Sequence, residues 1–159
     1  PATHRAVSPQ TAFIMTKLLQ QVVTDGTAWR VKKLDRPAAG KTGTTNDQKE
    51  AWFAGYTPNL LATVYCGFDE PRSMGRFETG SRAASPIWVS YMRNVLSKYP
   101  RRGFRKPKGV VMADVAARNG KLAGSGTDKS YLLPFRKGEV PDKVDTGDRR
   151  DAQMLQEIY

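Results

Sequence analysis

The sequence predicts an α+β fold in which helices cover an antiparallel sheet. Two helix signals, each opened by a Ser-Pro pair, begin at Ser8 and Ser85. Between them lie three strand-like runs that are separated by short turns. Because short turns join antiparallel neighbours, the three strands should form a meander on which the second helix packs.

The first predicted helix starts at Ser8-Pro9, since serine can cap a helix and proline suits its first turn. It ends at Asp25-Gly26-Thr27. Its apolar residues recur at helical spacing and predict the face that packs against a core: Ala12, Met15, Leu18, Leu19, Val22 and Val23. A basic connector over residues 27–37 then leads to the first strand.

Residues 39–47 form a strand-like stretch of small and hydroxylated residues around one lysine, with turn formers at its end. A strand without bulky side chains gains little from packing, so we expect a ligand to lie against it. Small residues let the ligand approach closely, and a lysine ammonium and threonine hydroxyls can bind a carboxylate or a phosphate-like group. The candidate residues are Lys41, Thr42, Gly43, Thr44 and Thr45.

Two more strands and a helix follow. Residues 51–56 form the second predicted strand, and residues 60–68 form the third. The third is apolar on both faces, which is typical of a strand inside a sheet that is covered on both sides. The second helix begins at Ser85-Pro86 and is stopped by Pro100. Its predicted apolar face comprises Ile87, Trp88, Tyr91, Met92, Val95, Leu96 and Tyr99.

Three aromatic residues near the lysine motif have two interpretations each. Trp52 and Phe53 lie in the second strand, where core packing is favoured over stacking against a substrate. Trp29 lies in the connector, where a structural role is favoured over a position beside a cleft.

The character of the chain changes after Pro100, where a basic, turn-rich linker begins. Residues 110–115 and 121–123 are predicted to pair as a short hairpin about Asn119-Gly120. The alternating charges from Pro141 onward predict a solvated tail that can include a short final helix. Three segments are therefore predicted: a folded portion over residues 1–100, an extension over residues 101–140, and a charged tail over residues 141–159.

Composition excludes several kinds of site. Cys66 is the only cysteine and His4 the only histidine, so the chain alone holds no disulfide, Ser-His-Asp system or His-based zinc site. No stretch approaches the roughly 18 uninterrupted apolar residues of a membrane span. The net charge of +11 indicates an anionic partner and leaves nucleic acid, acidic headgroups and acidic cell-wall polymers open.

A phosphate loop is the main alternative for Gly40-Lys41-Thr42. That motif needs another glycine five residues before Gly40, and Asp35 stands there, followed by Pro37. Because a carboxylate facing a phosphate is repulsive, the nucleotide-binding interpretation is disfavoured.

The wider context of the lysine motif closely resembles the C-terminal part of the transpeptidase domain of class A, bifunctional penicillin-binding proteins. The motif from Lys41 to Asp47, the strand over residues 51–56 and Gly67-Phe68-Asp69 carry this resemblance. Further similar stretches extend it over roughly residues 5–140: residues 22–27, 80–88, 120–123 and 135–138. It implies a D,D-transpeptidase-like or β-lactamase-like fold, with residues 1–100 as the C-terminal half of the domain.

This family uses three sequence elements: Ser-x-x-Lys with the acylated serine, Ser-x-Asn, and Lys-Thr-Gly. Only the third occurs here, because no serine has a lysine three positions later and no Ser-x-Asn is present. The resemblance therefore implies that the nucleophile lies upstream, in the other half of the same domain. We expect this chain to be the interior of a longer polypeptide and, by itself, to form no acyl-enzyme.

The resemblance also implies roles for the candidate residues in cross-linking peptidoglycan stem peptides. Lys41 and Thr44 would be catalytic: the Lys41 ammonium would lie near the serine of the second element, and the Thr44 backbone N–H would form half of an oxyanion hole. The hydroxyls of Thr42 and Thr44 would bind the substrate carboxylate. Gly43 would leave space for the acyl group, and Thr45 completes the substrate-binding set.

The implied partners are the upstream half of the domain, stem peptides and β-lactams, with no cofactor, metal or nucleic acid. The parent protein would face the periplasm and be anchored in the inner membrane outside this chain. Two other functions stay open: a non-catalytic cell-wall scaffold with the same fold, and a basic nucleic-acid-binding domain. The latter is disfavoured because the cations are spread evenly and no groove-binding helix is evident.

Overall fold

The computed structural model describes residues 4–147, which belong to two compact units. The central unit comprises residues 15–105, and the second unit combines residues 4–14 with residues 106–147. The helices and strands are α1 (Pro9–Thr24), β1 (Ala39–Thr44), β2 (Glu50–Tyr56), β3 (Leu61–Gly67), α2 (Ser85–Leu96), β4 (Val110–Ala116) and β5 (Ser130–Arg136). A 3₁₀ helix over Trp29–Leu34, here called the connector helix, precedes β1, and a π-helical turn over Gly80–Ala84, here called the π turn, precedes α2. No helix formed by residues 4–147 combines the length and the apolar character needed to cross a membrane.

The sheet of the central unit has the order β1-β2-β3, and both pairings are antiparallel. The predicted meander is therefore confirmed. In its register, Gly40 lies opposite Gly55, Lys41 opposite Ala54, and Gly43 opposite Trp52. Helix α2 packs on β2 and β3, as the sequence predicts.

The core of the central unit is centred on Phe53 and Trp88, which are both fully buried. Their rings meet edge to face with centroids 5.2 Å apart, and Trp88 Nε1 donates a hydrogen bond to the Ala62 carbonyl at 3.0 Å. The glycine pair Gly40 and Gly55 makes room for the Phe53 ring, since a Cβ on Gly40 would lie 2.7 Å from Phe53 Cζ. This packing joins α2 to the face of the sheet that carries Phe53.

The prediction that the third strand lies inside a sheet covered on both sides is wrong for the described residues. β3 is an edge strand of the three-stranded sheet, and only one of its faces is turned toward α2. On its other face Leu61 is 68% exposed, and Tyr65 is also exposed. The sequence pattern correctly predicts two apolar faces for β3, but the described part of the chain covers only one of them.

The predicted apolar face of α1 is only partly buried. Met15 is 52% exposed and Leu18 is exposed too, whereas Phe13, Thr16 and Val23 are buried. The buried threonine is hydrogen-bonded, with its Oγ1 2.9 Å from the hydroxyl of Tyr56. Helical spacing therefore located an apolar stripe, but the buried stripe is rotated from it and includes a satisfied polar group.

Helix α2 shows the same division of its predicted face. Trp88, Met92 and Leu96 are buried, whereas Ile87 and Tyr91 are exposed. One side of the helix packs on the sheet. The apolar face that the sequence predicts is broader than this side, and the part that carries Ile87 and Tyr91 is exposed. Exposed apolar surfaces of this kind are characteristic of contact sites.

The hairpin predicted about Asn119-Gly120 forms over a short stretch: Val115 and Leu122 are bridged antiparallel, and Ala123 N donates to the Asp114 carbonyl at 2.8 Å. The longer partner of β4 is β5, which pairs with it along its whole length. A tight turn does form, because Gly120 has φ +70° and donates its N–H to the Ala116 carbonyl at 2.9 Å. The sequence predicts no strand for β5: it contains Pro134, and proline within an apolar run argues against a strand unless the strand lies at an edge.

Asp145 shows that residues 141–147 are not a solvated tail. Its buried carboxylate accepts hydrogen bonds from Arg118 Nε at 3.0 Å, from Thr127 Oγ1 at 2.9 Å and from Asn119 Nδ2 at 3.1 Å. These donors, with Arg118 first, hold the pKa of Asp145 well below its usual range. The remainder of the predicted tail and its short helix lie outside the described residues, and the assignment of residues 101–140 to a separate extension stays a prediction.

The Asp145 contacts predict an acid-dependent loss of stability. A carboxyl whose pKa is lower in the folded chain stabilises the fold above its unfolded pKa of about 3.9, and this contribution is lost as the pH falls below that value. Removing the charge with Asp145→Asn should therefore lower the melting temperature at pH 6, and the difference from the unchanged chain should shrink toward pH 3. Asp142→Asn is the matched control, because Asp142 is exposed. A melting difference for Asp145→Asn that stays constant between pH 6 and pH 3 would contradict this account.

Candidate substrate-binding strand

β1 lies at one edge of the described sheet, and this position turns part of its backbone away from β2. Thr45 N donates to the Glu50 carbonyl at 3.1 Å, and the register continues from this pair into the strand. In an antiparallel pair the N–H groups that bond to the partner alternate along the strand. The N–H groups of Thr42 and Thr44 therefore point away from β2, along the edge of the sheet.

The side chains of the lysine motif divide between the two faces of β1. Thr42 lies opposite Phe53 and Thr44 opposite Ala51, both on the face that α2 covers. Lys41 lies opposite Ala54, on the other face, and its Nζ donates to the carbonyl of Thr42 at 2.8 Å. The structure therefore places the two hydroxyls on one face of β1 and the Lys41 side chain on its other face.

The hydroxyl of Thr42 pairs with Thr27, which lies three residues beyond the end of α1. Thr42 Oγ1 lies 2.8 Å from Thr27 Oγ1, and either oxygen can be the donor. Thr27 was not among the predicted site residues. The only sequence signal for it was its place in the stretch over residues 22–27 that resembles the family.

The hydroxyl of Thr44 is held by the π turn. Its Oγ1 accepts a hydrogen bond from the N–H of Gly80 at 3.1 Å. Because a hydroxyl can accept and donate at the same time, its proton stays available for another acceptor. Thr44 thus combines a fixed oxygen with a free donor.

Gly80 allows the π turn to approach β1 closely. A Cβ at this position would lie 2.6 Å from the Gly43 carbonyl oxygen and would also collide with the carbonyl oxygen of Trp52. The next residue, Ser81, accepts a hydrogen bond from Arg30 Nη1 at 3.3 Å, and its carbonyl accepts one from Ser85 Oγ at 2.7 Å. Gly80 is a site-supporting residue that the predicted set lacks, although it lies in the family-like stretch over residues 80–88.

Thr45 closes the turn between β1 and β2. Its Oγ1 accepts the N–H of Glu50 at 2.9 Å, while its own N–H donates to the Glu50 carbonyl. The following turn places Asp47 and Gln48 in the left-handed region, with φ of +60° and +54°. The structure therefore gives Thr45 a role in the hairpin, and its substrate-binding role stays a prediction.

Trp52 and Phe53, which are neighbours on β2, differ in their surroundings. Phe53 belongs to the core, as predicted, but the same interpretation is wrong for Trp52, which is 41% exposed. The Trp52 ring lies beside that of Tyr65, with centroids 4.6 Å apart, on the face that carries Lys41. Partial desolvation of the half-exposed phenol and the neighbouring Glu50 carboxylate raise the pKa of Tyr65. Trp29 is exposed, with the guanidinium of Arg30 4.4 Å from its ring, and its place beside a cleft stays a prediction.

The chain is similar in sequence to known penicillin-binding proteins. A family model described as the penicillin-binding protein transpeptidase domain matches residues 1–88. Penicillin-binding protein 1A of Pseudomonas aeruginosa is 39% identical over 142 residues, which are 89% of this chain and 17% of that protein. Penicillin-binding protein 1A of Neisseria lactamica is 50% identical over 108 residues, which are 67% of this chain and 14% of that protein. The chain thus spans about a sixth or less of the length of these relatives.

A solved structure shares the fold. The crystal structure of penicillin-binding protein 1A from Haemophilus influenzae superposes with a TM-score of 0.79 at 34% sequence identity, covering 89% of this chain and 22% of that chain. This likeness confirms the predicted α+β fold of the transpeptidase type. Together with the family match over more than half of its residues, it shows that the chain belongs to the penicillin-binding protein transpeptidase family.

Proposed function

We propose that this chain supplies the substrate-binding strand of a serine-type D,D-transpeptidase that cross-links peptidoglycan stem peptides. The observation that carries the proposal is the edge of β1, where the N–H groups of Thr42 and Thr44 turn away from β2 beside their own hydroxyls. An extended peptide that ends in a carboxylate can lie along such an edge as an added strand.

The two hydroxyls bind the terminal carboxylate of the substrate, or the equivalent carboxylate of a β-lactam. They are on one face of β1, and both oxygens are already positioned: Thr42 by Thr27 and Thr44 by Gly80. Thr44 keeps its proton for the ligand because its oxygen accepts from Gly80, and Thr42 keeps its proton when Thr27 is the donor of their shared hydrogen bond. Hydrogen bonds donated to an ionised acceptor are the stronger kind.

The N–H of Thr44 forms one half of the oxyanion hole. The Thr44 N–H points away from β2 at the edge of the sheet, which supports this role because the donor must point at the developing oxyanion and not at a neighbouring strand. The N–H of the nucleophilic serine, which lies outside residues 1–159, forms the other half. Gly43 keeps the strand narrow here, since it presents no side chain opposite Trp52.

Lys41 keeps the site electropositive and assists proton movement at the serine of the Ser-x-Asn element. Its ammonium reaches the edge of β1, where it donates to the Thr42 carbonyl at 2.8 Å. That contact uses one of its three donors, so the remaining two can serve a serine hydroxyl contributed by the other half of the domain.

The reaction has two steps. The serine oxygen attacks the penultimate D-alanine carbonyl, the amide bond to the terminal D-alanine breaks, and the released amine takes the serine's proton. An amine of a neighbouring stem peptide then attacks the acyl-enzyme ester, forms the new amide and returns a proton to the serine oxygen. A β-lactam undergoes the first step only, because its ring opens and its amine stays attached.

The proposed partner is the upstream half of the same domain, which carries Ser-x-x-Lys and Ser-x-Asn. Exposed apolar side chains on α1, α2 and β3 support a contact with this half of the domain: Met15 and Leu18 on α1, Ile87 and Tyr91 on α2, and Leu61 on β3. We place the parent protein on the periplasmic side of the inner membrane, anchored by a segment outside residues 1–159.

Labelling by a fluorescent penicillin tests the proposal. The protein that contains the complete domain should be labelled covalently, and excess unlabelled penicillin should prevent the labelling. If the folded, assembled protein takes up no label, the transpeptidase proposal fails and the non-catalytic scaffold becomes the better account.

The Thr44 hydroxyl should matter for acylation independently of the Thr44 N–H. In the complete domain, Thr44→Val removes the hydroxyl and keeps the backbone donor, so penicillin acylation should slow by about tenfold through the lost charge-assisted hydrogen bond. Thr44→Ser keeps the hydroxyl and should acylate at close to the original rate. The rate constants from stopped-flow or gel-based labelling decide this, and equal rates for the two variants would remove the hydroxyl from the mechanism.

A further inference from the structure

A small cavity lies between the connector helix and α2, away from the lysine motif. Its volume is about 240 Å³, and six residues line it: Arg30, Lys33, Pro86, Val89, Ser90 and Arg93. Three of the six are cations and a fourth carries a hydroxyl. The volume suits a small ligand, because pockets for drug-sized molecules start at about 300 Å³.

The charge around this cavity is uncompensated within the described chain. Neither the connector helix, Trp-Arg-Val-Lys-Lys-Leu, nor α2 contains an aspartate or glutamate. Asp35, which follows the connector helix, is ion-paired with Arg101 at 3.2 Å. Arg30, Lys33 and Arg93 form no ion pair with any carboxylate among residues 4–147. Gathering three like charges is unfavourable unless an anion offsets their repulsion.

The two arginines are held in place but keep most of their donors. Arg93 Nη2 donates to the Lys33 carbonyl at 2.8 Å, and this contact ties α2 to the connector helix. Arg30 Nη1 donates to Ser81 Oγ at 3.3 Å, and its guanidinium lies against the Trp29 ring. Each guanidinium has five N–H donors, and these contacts use one of them. Buried Val89 contributes an apolar wall, which strengthens charge interactions beside it.

We propose that this cavity is a binding site for a phosphoryl anion, either free or as a lipid headgroup. The guanidinium fork matches the geometry of phosphate oxygens, and an adjacent ammonium adds a point charge. Three converging cations favour a group with more than one negative charge over a single carboxylate. The site is separate from β1, and its occupation does not depend on the proposed transpeptidase activity.

Lys33 is the residue to change. Arg30 is unsuitable, since it also contacts Ser81 in the π turn that holds Thr44. Arg93 is less suitable because it ties two elements together. Lys32 provides a matched control, because it is an exposed lysine next to Lys33 in the same helix and does not line the cavity.

The test uses inorganic pyrophosphate and lipid vesicles with the protein that contains the complete domain and with its Lys33→Gln and Lys32→Gln variants, each checked for folding by circular dichroism. Isothermal titration with pyrophosphate should show saturable binding that Lys33→Gln weakens about tenfold, the expected effect of one charge-assisted contact, and that Lys32→Gln leaves within about twofold. Sedimentation with phosphatidylglycerol vesicles separates the sources: the same ranking of variants on vesicles but not with pyrophosphate assigns a lipid headgroup, and the reverse assigns a free anion. Equal weakening by both variants would show only general attraction by a basic chain and would overturn the proposal. The absence of saturable binding to both probes would overturn it as well.

Discussion

Replacing Lys41 by alanine in the complete transpeptidase domain is expected to slow acylation by a penicillin by about 10²- to 10⁴-fold, the range that a positioned proton-transfer group contributes. The ammonium is exposed at the edge of β1 and makes its one hydrogen bond to the Thr42 carbonyl, so its loss should leave the sheet intact. The effect should therefore appear in the acylation rate constant and not in the melting temperature.

Lys49→Ala is the control for this experiment. Lys49 lies just beyond the β1–β2 turn and forms an exposed ion pair with Asp47 at 3.8 Å, which contributes little to stability. Its removal changes the net charge by the same amount at a nearby position. Similar acylation rates for the Lys41→Ala and Lys49→Ala variants would show that Lys41 acts only through general charge, and the assigned role would be wrong.

The Gly80→Ala substitution, which adds one methyl group, is expected to push the π turn away from β1 and so to slow acylation. The new Cβ would fall 2.6 Å from the Gly43 carbonyl oxygen and against that of Trp52, both of which belong to the β1–β2 ladder. Since backbone atoms cannot move aside like a flexible side chain, the π turn must shift away from β1. Overpacking of this kind costs about 1–3 kcal/mol, and the shift also breaks the Gly80 N–H contact to Thr44. Acylation in the complete domain should slow by at least about tenfold, the value of the lost contact to the Thr44 hydroxyl.

Gly103→Ala is the matched substitution, because a Cβ at Gly103 would meet nothing within 4 Å. It should leave both the melting temperature and the acylation rate close to those of the unchanged protein. Thermal melting and penicillin labelling of the two variants check the prediction. A Gly80→Ala variant that melts and acylates like Gly103→Ala would show that the close approach of the π turn to β1 is dispensable.

The sheet was predictable because its signals are local. Short turns at residues 46–48 and 57–60 fix the antiparallel order, and apolar alternation identifies the face of β2 that carries Phe53. Which faces are covered was harder to predict, because the apolar faces of α1, α2 and β3 are wider than the described chain can bury. Met15, Leu61 and Tyr91 are apolar and nevertheless exposed.

The second unit was less predictable because its pairings are distant in sequence. The Asn119-Gly120 turn forms, yet the main partner of β4 begins at Ser130, beyond residues 121–123, which the sequence predicts as the second strand of the hairpin. In the sequence Asp145 is one charge among many, and only the folded chain shows Arg118, Asn119 and Thr127 converging on it.

The lysine motif was visible in the sequence, whereas its supports were not. Small residues around Lys41 indicate a ligand-binding strand, and the resemblance to a family adds the roles. The contacts that position Thr42 and Thr44 come from Thr27, 15 residues before Thr42, and from Gly80, 36 residues after Thr44. No periodicity reports contacts at such separations, so only the structure could add these two residues to the site.

The central claim is that a carboxylate-ended ligand lies along the edge of β1 and is held by the hydroxyls of Thr42 and Thr44. The most direct measurement is a crystal structure of the complete domain acylated by a penicillin. The account predicts that the penicillin carboxylate lies within about 3 Å of both Oγ1 atoms, with the acyl oxygen accepting the N–H of Thr44. A bound penicillin whose carboxylate contacts neither hydroxyl would contradict it.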